Sequence, residues 1–68
     1  MREVKIEGEY IKLGQLLKFV SIIDNGSYAK FFLQENEVLV NGEKEDRRGR
    51  KIYKGDVVEV LKETFIIK

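Results

Sequence analysis

The densest chemistry in this chain is Arg47-Arg48-Gly49-Arg50-Lys51, four bases in five residues. Guanidinium groups carry planar, paired N–H donors that match phosphate oxygens, and an embedded glycine lets the backbone turn and approach a partner closely. The wider stretch from Lys44 to Lys54 holds six bases (Lys44, Arg47, Arg48, Arg50, Lys51, Lys54) against two acids, Glu45 and Asp46. Before it stand Glu35, Glu37 and Glu43 with no base among them, and Met1 to Tyr10 is slightly acidic. The whole chain carries 13 bases and 12 acids, a net charge of +1. Gross charge therefore does not mark a polyanion binder; only the polarised arrangement does. Most short charge runs are solvated loops, and it is the arginine content and Gly49 that point to anion binding here.

Composition removes most other chemistry. With no Cys and no His, the chain has no disulfide, no redox thiol, no usual zinc site and no His-based catalytic arrangement. Ser27 and Thr64 have no such residue to activate them, and Ser27 is better placed as a helix cap. Glu43 and Glu45 lie on a polar segment with no apolar pocket to raise a pKa, and nothing matches a calcium-loop spacing. The six glycines are scattered at turns and do not build a phosphate-cradling loop. No catalytic residue, metal or cofactor is expected. No apolar run approaches the roughly 18–20 residues of a membrane span, and the N-terminus lacks a signal-peptide core. The expectation is a cytoplasmic protein with no membrane partner.

The elements that must position the basic loop follow from periodicity. Sixty-eight residues, 43% apolar and 37% charged, make one domain, 1–68, with a single core. A chain of this size buries roughly 60% of its unfolded surface. Val4, Ile6 and Tyr10-Ile11 around Gly8 predict short strands. Leu13, Leu16, Leu17, Val20 and Ile23 fall on one helical face, and Asp24-Asn25-Gly26 stops that helix. Ser27 caps a second helix carrying Ala29, Phe32 and Leu33 inward, with Asn36 just past its end where left-handed geometry is wanted. Val38-Leu39-Val40 leads to the tight-turn pair Asn41-Gly42. After the basic loop come Ile52-Tyr53, the turn Lys54-Gly55-Asp56, and strands over Val57–Leu61 and Thr64–Ile67. Two adjacent helices followed by strands give an α+β class: two short helices packed on a small, mainly antiparallel sheet of four to five strands. Val38, Val40, Val58 and Val60 are core. Tyr28, Phe31 and Tyr53 are expected as satellite core beside Phe32 and Ile52, with stacking on nucleobases as the alternative. Lys18 lies off the apolar face and is expected to be solvated.

The string Ala29-Lys30-x-x-Leu33-x-x-Asn36-x-Val38-x-Val40-Asn41-Gly42, followed by Lys54-Gly55-Asp56-x-Val58, resembles the S-four (αL) RNA-binding domain. The similarity spans about residues 12–61, and Asp46 to Lys51 is similar to the small stand-alone bacterial members. The resemblance implies an RNA-binding surface formed by the first turns of the helix pair and the basic edge of the sheet. Carried onto this chain, the binding residues are Lys30, Arg47, Arg48, Arg50 and Lys51, with Lys12, Gly26 and Ser27 as secondary contacts. Three positions depart from the family pattern. Lys12-Leu13-Gly14 stands where many members have Arg-Leu-Asp, Asn25-Gly26 where many have Ser-Arg, and Asn36 where a glycine precedes the first valine. The missing arginine shifts weight to the loop.

Lys30 gains support from its place in the first turns of the second helix, where free amides and the dipole favour an anion. The function expected is non-catalytic docking on the phosphates of structured RNA, ribosomal or ribosome-associated, by a monomer. About four engaged bases would give a salt slope near −3 in log K against log salt. A protein-interaction adaptor using complementary acidic and basic patches, and a DNA-binding module, are the alternatives.

Overall fold

The computed structural model describes residues 1–68. Seven strands and two helices follow in the order β1 (Arg2–Val4), β2 (Tyr10–Lys12), α1 (Leu13–Phe19), α2 (Ala29–Glu35), β3 (Val38–Val40), β4 (Glu43–Lys44), β5 (Lys51–Tyr53), β6 (Val57–Val60) and β7 (Glu63–Ile67). The main sheet has the order β1-β7-β6-β3-β4, in which only β1 and β7 run parallel; β2 and β5 form a separate antiparallel ribbon. This is the α+β arrangement that the spacing predicts. The helices cover one face of the sheet because every second strand residue is apolar. Val38, Val40, Val58, Val60, Phe65 and Ile67 are buried against Leu13, Leu16, Leu17, Ala29 and Leu33. Ile52, from the ribbon, closes that core. No helix is long and apolar enough to cross a membrane.

The two halves of the sequence motif lock together. Asn41 and Gly42 both take positive φ (52° and 84°), as a two-residue turn between β3 and β4 requires. The Asn41 side chain then donates to Asp56 Oδ1 (3.0 Å) and accepts from Val57 N (2.9 Å), while Asp56 Oδ2 accepts from Tyr53 N (2.7 Å). The fixed separation of Asn-Gly from Lys-Gly-Asp is thus the separation of two turns that share a hydrogen-bond network.

Three local expectations are corrected. Helix α1 stops at Phe19 rather than running to Ile23. Ser21 turns left-handed (φ 65°), Ser21 N donates to Lys18 O and Ile22 N to Leu17 O, which is a Schellman closure; Ile23 is still buried beyond it. Ser27 is not the cap of α2. Asn25 caps a 3₁₀ turn over Gly26–Tyr28 that leads into the helix, its Oδ1 accepting from both Ser27 N (2.9 Å) and Ser27 Oγ (3.0 Å). Asn36 is extended (φ −132°), not left-handed, because its Nδ2 donates to Phe32 O and caps the helix through the side chain. The expected satellite core also fails: Tyr28, Phe31 and Tyr53 are 57%, 66% and 46% exposed. Their neighbours fill the limited interior first, and a small domain has no second layer to hold three more rings.

Candidate nucleic-acid interface

Loop 45–50 is folded by a carboxylate. Glu45 is the one buried charged residue, 6% exposed, at the point where the chain leaves β4. It accepts from the amides of Asp46 and Arg47 (3.1 Å each), from Arg47 Nε (3.0 Å) and Nη2 (3.1 Å), and from Arg50 Nη1 (2.6 Å). The Arg47 guanidinium is the largest influence holding this carboxyl at a pKa of about 2, against its ordinary 4.5; burial opposes the shift and Arg50 reinforces it. Glu45 in turn raises the pKa of Arg47. The sequence pattern places Glu45 among solvated polar residues, and the buried clamp corrects that expectation.

The clamp divides the four loop bases. Arg47 and Arg50 share one carboxylate and so retain a single net positive charge between them. Arg48 and Lys51 pair with no carboxylate and are exposed. The backbone carbonyls of the loop point the other way, onto α1: Leu13 N donates to Arg50 O (2.8 Å) and Gly14 N to Arg48 O (2.9 Å). Two first-turn amides of α1 are therefore satisfied by the loop, which seats it against the helix. Gly14 is what allows this approach. A Cβ there would stand 3.2 Å from Ala29 Cβ and 3.3 Å from Arg48 Cβ.

Between loop and helix lies a cleft lined by Lys12, Gly14, Gln15, Lys18, Gly26, Arg48 and Gly49. Its side chains are three cations and one amide, with no acid and no apolar group. None of the cations has a carboxylate partner. Lys12 N is held by Gln15 Oε1 (3.4 Å), which keeps both residues on the same rim. Such a lining offers donors and positive charge to an anion and nothing to an apolar ligand.

Of the residues singled out from sequence, the cleft brings together Arg48, Lys12 and Gly26. Arg47, Arg50 and Lys51 border a neighbouring recess with Gly49 and Tyr53. Lys30 is exposed on α2 and lines neither, and the Ser27 hydroxyl is engaged by Asn25. The amides at the entry to α2 are also less free than expected: Ser27 N, Tyr28 N and Ala29 N all have intramolecular acceptors in the 3₁₀ turn. Lys18, Gln15 and Gly14 went unrecognised in sequence as site residues. Lys18 lies six positions after Lys12, but the helix begins only at Leu13, so periodicity from Lys12 gives no warning that they share a rim.

Residues 4–68 match the family model of the S4 domain. The chain is also 56% identical over 57 residues, covering 84% of this chain and 80% of the relative, to a Bacillus subtilis (strain 168) protein named "Probable ribosome maturation protein RlbA".

Proposed function

The chain belongs to the S4 domain family, and from that premise we propose that it is a non-catalytic RNA-binding protein working in the cytoplasm on ribosomal or ribosome-associated RNA. Residues 1–68 act as one RNA-binding domain, as a monomer. The observation that carries the reading is the acid-free cleft in which Lys12 from β2, Lys18 from α1 and Arg48 from the loop converge without any carboxylate partner. Like charges held together at a local cost are offset when a polyanion arrives. Arg48 and Lys18 engage phosphates of a helical or irregular RNA segment, Lys12 extends the contact along the rim, and Arg47 and Arg50 hold the loop in shape while lending one further charge. Shape and phosphate spacing are read in preference to base sequence. The ribosome-maturation name of the relative supports ribosomal RNA as the target.

The test is charge reversal at the two cleft bases whose side chains take no part in the Glu45 clamp. Lys18→Glu with Arg48→Glu abolishes retention of a structured RNA hairpin in a gel shift at low salt, and leaves the circular-dichroism melt within a few degrees of the parent. The parent's log K falls with log salt at a slope near −3, for about four phosphates. Undiminished binding by the folded double variant contradicts the proposal, as does equal retention of double-stranded DNA in competition.

A further inference from the structure

The β2–β5 ribbon has two unlike faces. Ile11 and Ile52 are directly opposed and turn inward, Ile52 completely buried. On the other face the register opposes Tyr10 to Tyr53 and Lys12 to Lys51. Two lysines directly across a strand pair repel one another, and neither has a carboxylate to relieve it. Both tyrosines are substantially exposed, 40% and 46%. The tyrosine pair steadies the ribbon, but the opposed lysines do not, and the exposed ring area goes beyond what pairing uses.

The rings are arranged as a platform with one open place. Their centroids are 5.7 Å apart with planes tilted by 53°, so Tyr10 buttresses Tyr53 without stacking on it. Lys51 Nζ sits 5.0 Å from the Tyr10 centroid and covers that ring. Tyr53 instead borders two recesses, one with Arg47, Arg50 and Lys51 and one with Glu7, Glu9 and Lys54, and only the first offers an anion net positive charge. An aromatic ring beside three cations matches a nucleotide, whose base has an apolar π-face and whose phosphate is anionic. An apolar protein segment would desolvate Lys51, which has no carboxylate, together with the net positive charge that Arg47 and Arg50 keep beyond Glu45. Lys12 belongs to both this face and the cleft, so one strand of nucleic acid can run continuously from one to the other.

Resting on the RNA-binding reading above, we infer that the outer face of the ribbon is a second subsite that takes an unpaired nucleotide flanking the structured segment. The base stacks on Tyr53, and its phosphate meets Lys51 and Arg50. The chain thereby reads a junction between paired and single-stranded RNA rather than a continuous helix.

The experiment compares three RNAs sharing one hairpin: blunt, with a short single-stranded 3′ or 5′ extension, and with the same extension made abasic. The abasic form keeps every phosphate and removes the base. The protein binds the best of the base-containing extensions about tenfold more tightly than its abasic counterpart, as one stacked base commands. Tyr53→Leu erases that difference, Tyr53→Phe retains it, and both keep the parent's affinity for the blunt hairpin. With no Trp and three Tyr in the chain, a Tyr28→Phe background leaves Tyr10 and Tyr53 as the only emitters, and their fluorescence is quenched by the base-containing extension alone. Equal affinity for base-containing and abasic extensions, with the blunt hairpin still bound, overturns the inference and leaves the cleft reading standing. Failure to bind any of the three RNAs overturns both.

Discussion

Replacing Glu45 by Gln tests whether one buried carboxylate folds the basic loop. The substitution keeps the side-chain volume and one acceptor oxygen, but turns an NH₂ toward the guanidinium groups of Arg47 and Arg50, now bonded at 3.0 and 2.6 Å. The carboxyl's pKa of about 2, against 4.5, makes the ionised form worth about 3 kcal/mol to the folded state before screening. Because the Arg47 side chain is 73% exposed, solvent reduces this to about 1–2 kcal/mol. The sign follows from a folded-state pKa that is depressed. The stabilisation is complete above pH 4.5 and is lost as pH falls through about 2. Urea denaturation followed by circular dichroism measures both consequences. At neutral pH Glu45→Gln is less stable than the parent by about 1–2 kcal/mol, and the gap closes as acid protonates the parent's carboxyl. A gap that stays constant from neutral pH down to pH 2 would refute the clamp.

Two further substitutions probe the backbone around the site. Gly14→Ala gains up to about 1 kcal/mol of helix propensity but crowds Arg48 and Ala29, an overpacking cost of about 1–3 kcal/mol. Thermal melts show a net loss, and RNA affinity falls by more than stability does because the displaced group is the loop itself. The β6–β7 hairpin holds Leu61 and Lys62 at φ 50° and 66°, left-handed at both turn positions, with Leu61 exposed. Leu61→Asn with Lys62→Gly supplies the residues such a turn prefers. It raises stability by about 1–2 kcal/mol, read as a higher melting temperature with RNA binding unchanged.

The contrast between these hairpins explains how much of the fold was legible. Asn41-Gly42 announces its turn because the residues are chosen for positive φ, whereas Leu61-Lys62 adopts the same geometry with nothing in its composition to declare it. The strands and the apolar helix faces were readable because burial imposes a period on them. The end of α1 was not. Ile23 continues the apolar spacing although the backbone has already left the helix at Ser21.

At the site, arginine content marked the loop, but charge along the sequence does not say which base faces which acid. Glu45 lies two residues from Arg47 and five from Arg50, and only the fold shows that it binds both while Arg48 turns to Lys12 and Lys18. Charge reversal at Arg50 therefore perturbs the clamp as well as any phosphate contact, which is why Arg48 and Lys18 make the cleaner pair. The departure at Gly14 also acquires a reason, since the aspartate common in the family would bring a side chain where this loop packs.

In the proposed mode of binding, RNA enters the cleft between the loop and α1. Backbone amide shifts of the ¹⁵N-labelled protein, followed by NMR as a blunt RNA hairpin is added, test it most directly. Lys12, Gly14, Lys18, Gly26, Arg48 and Gly49 are expected to move together in a salt-sensitive manner, while Leu39, Glu59 and Thr64, aligned across the far face of the sheet, stay still. Shifts gathered on that far face, with the cleft amides unmoved, would contradict it.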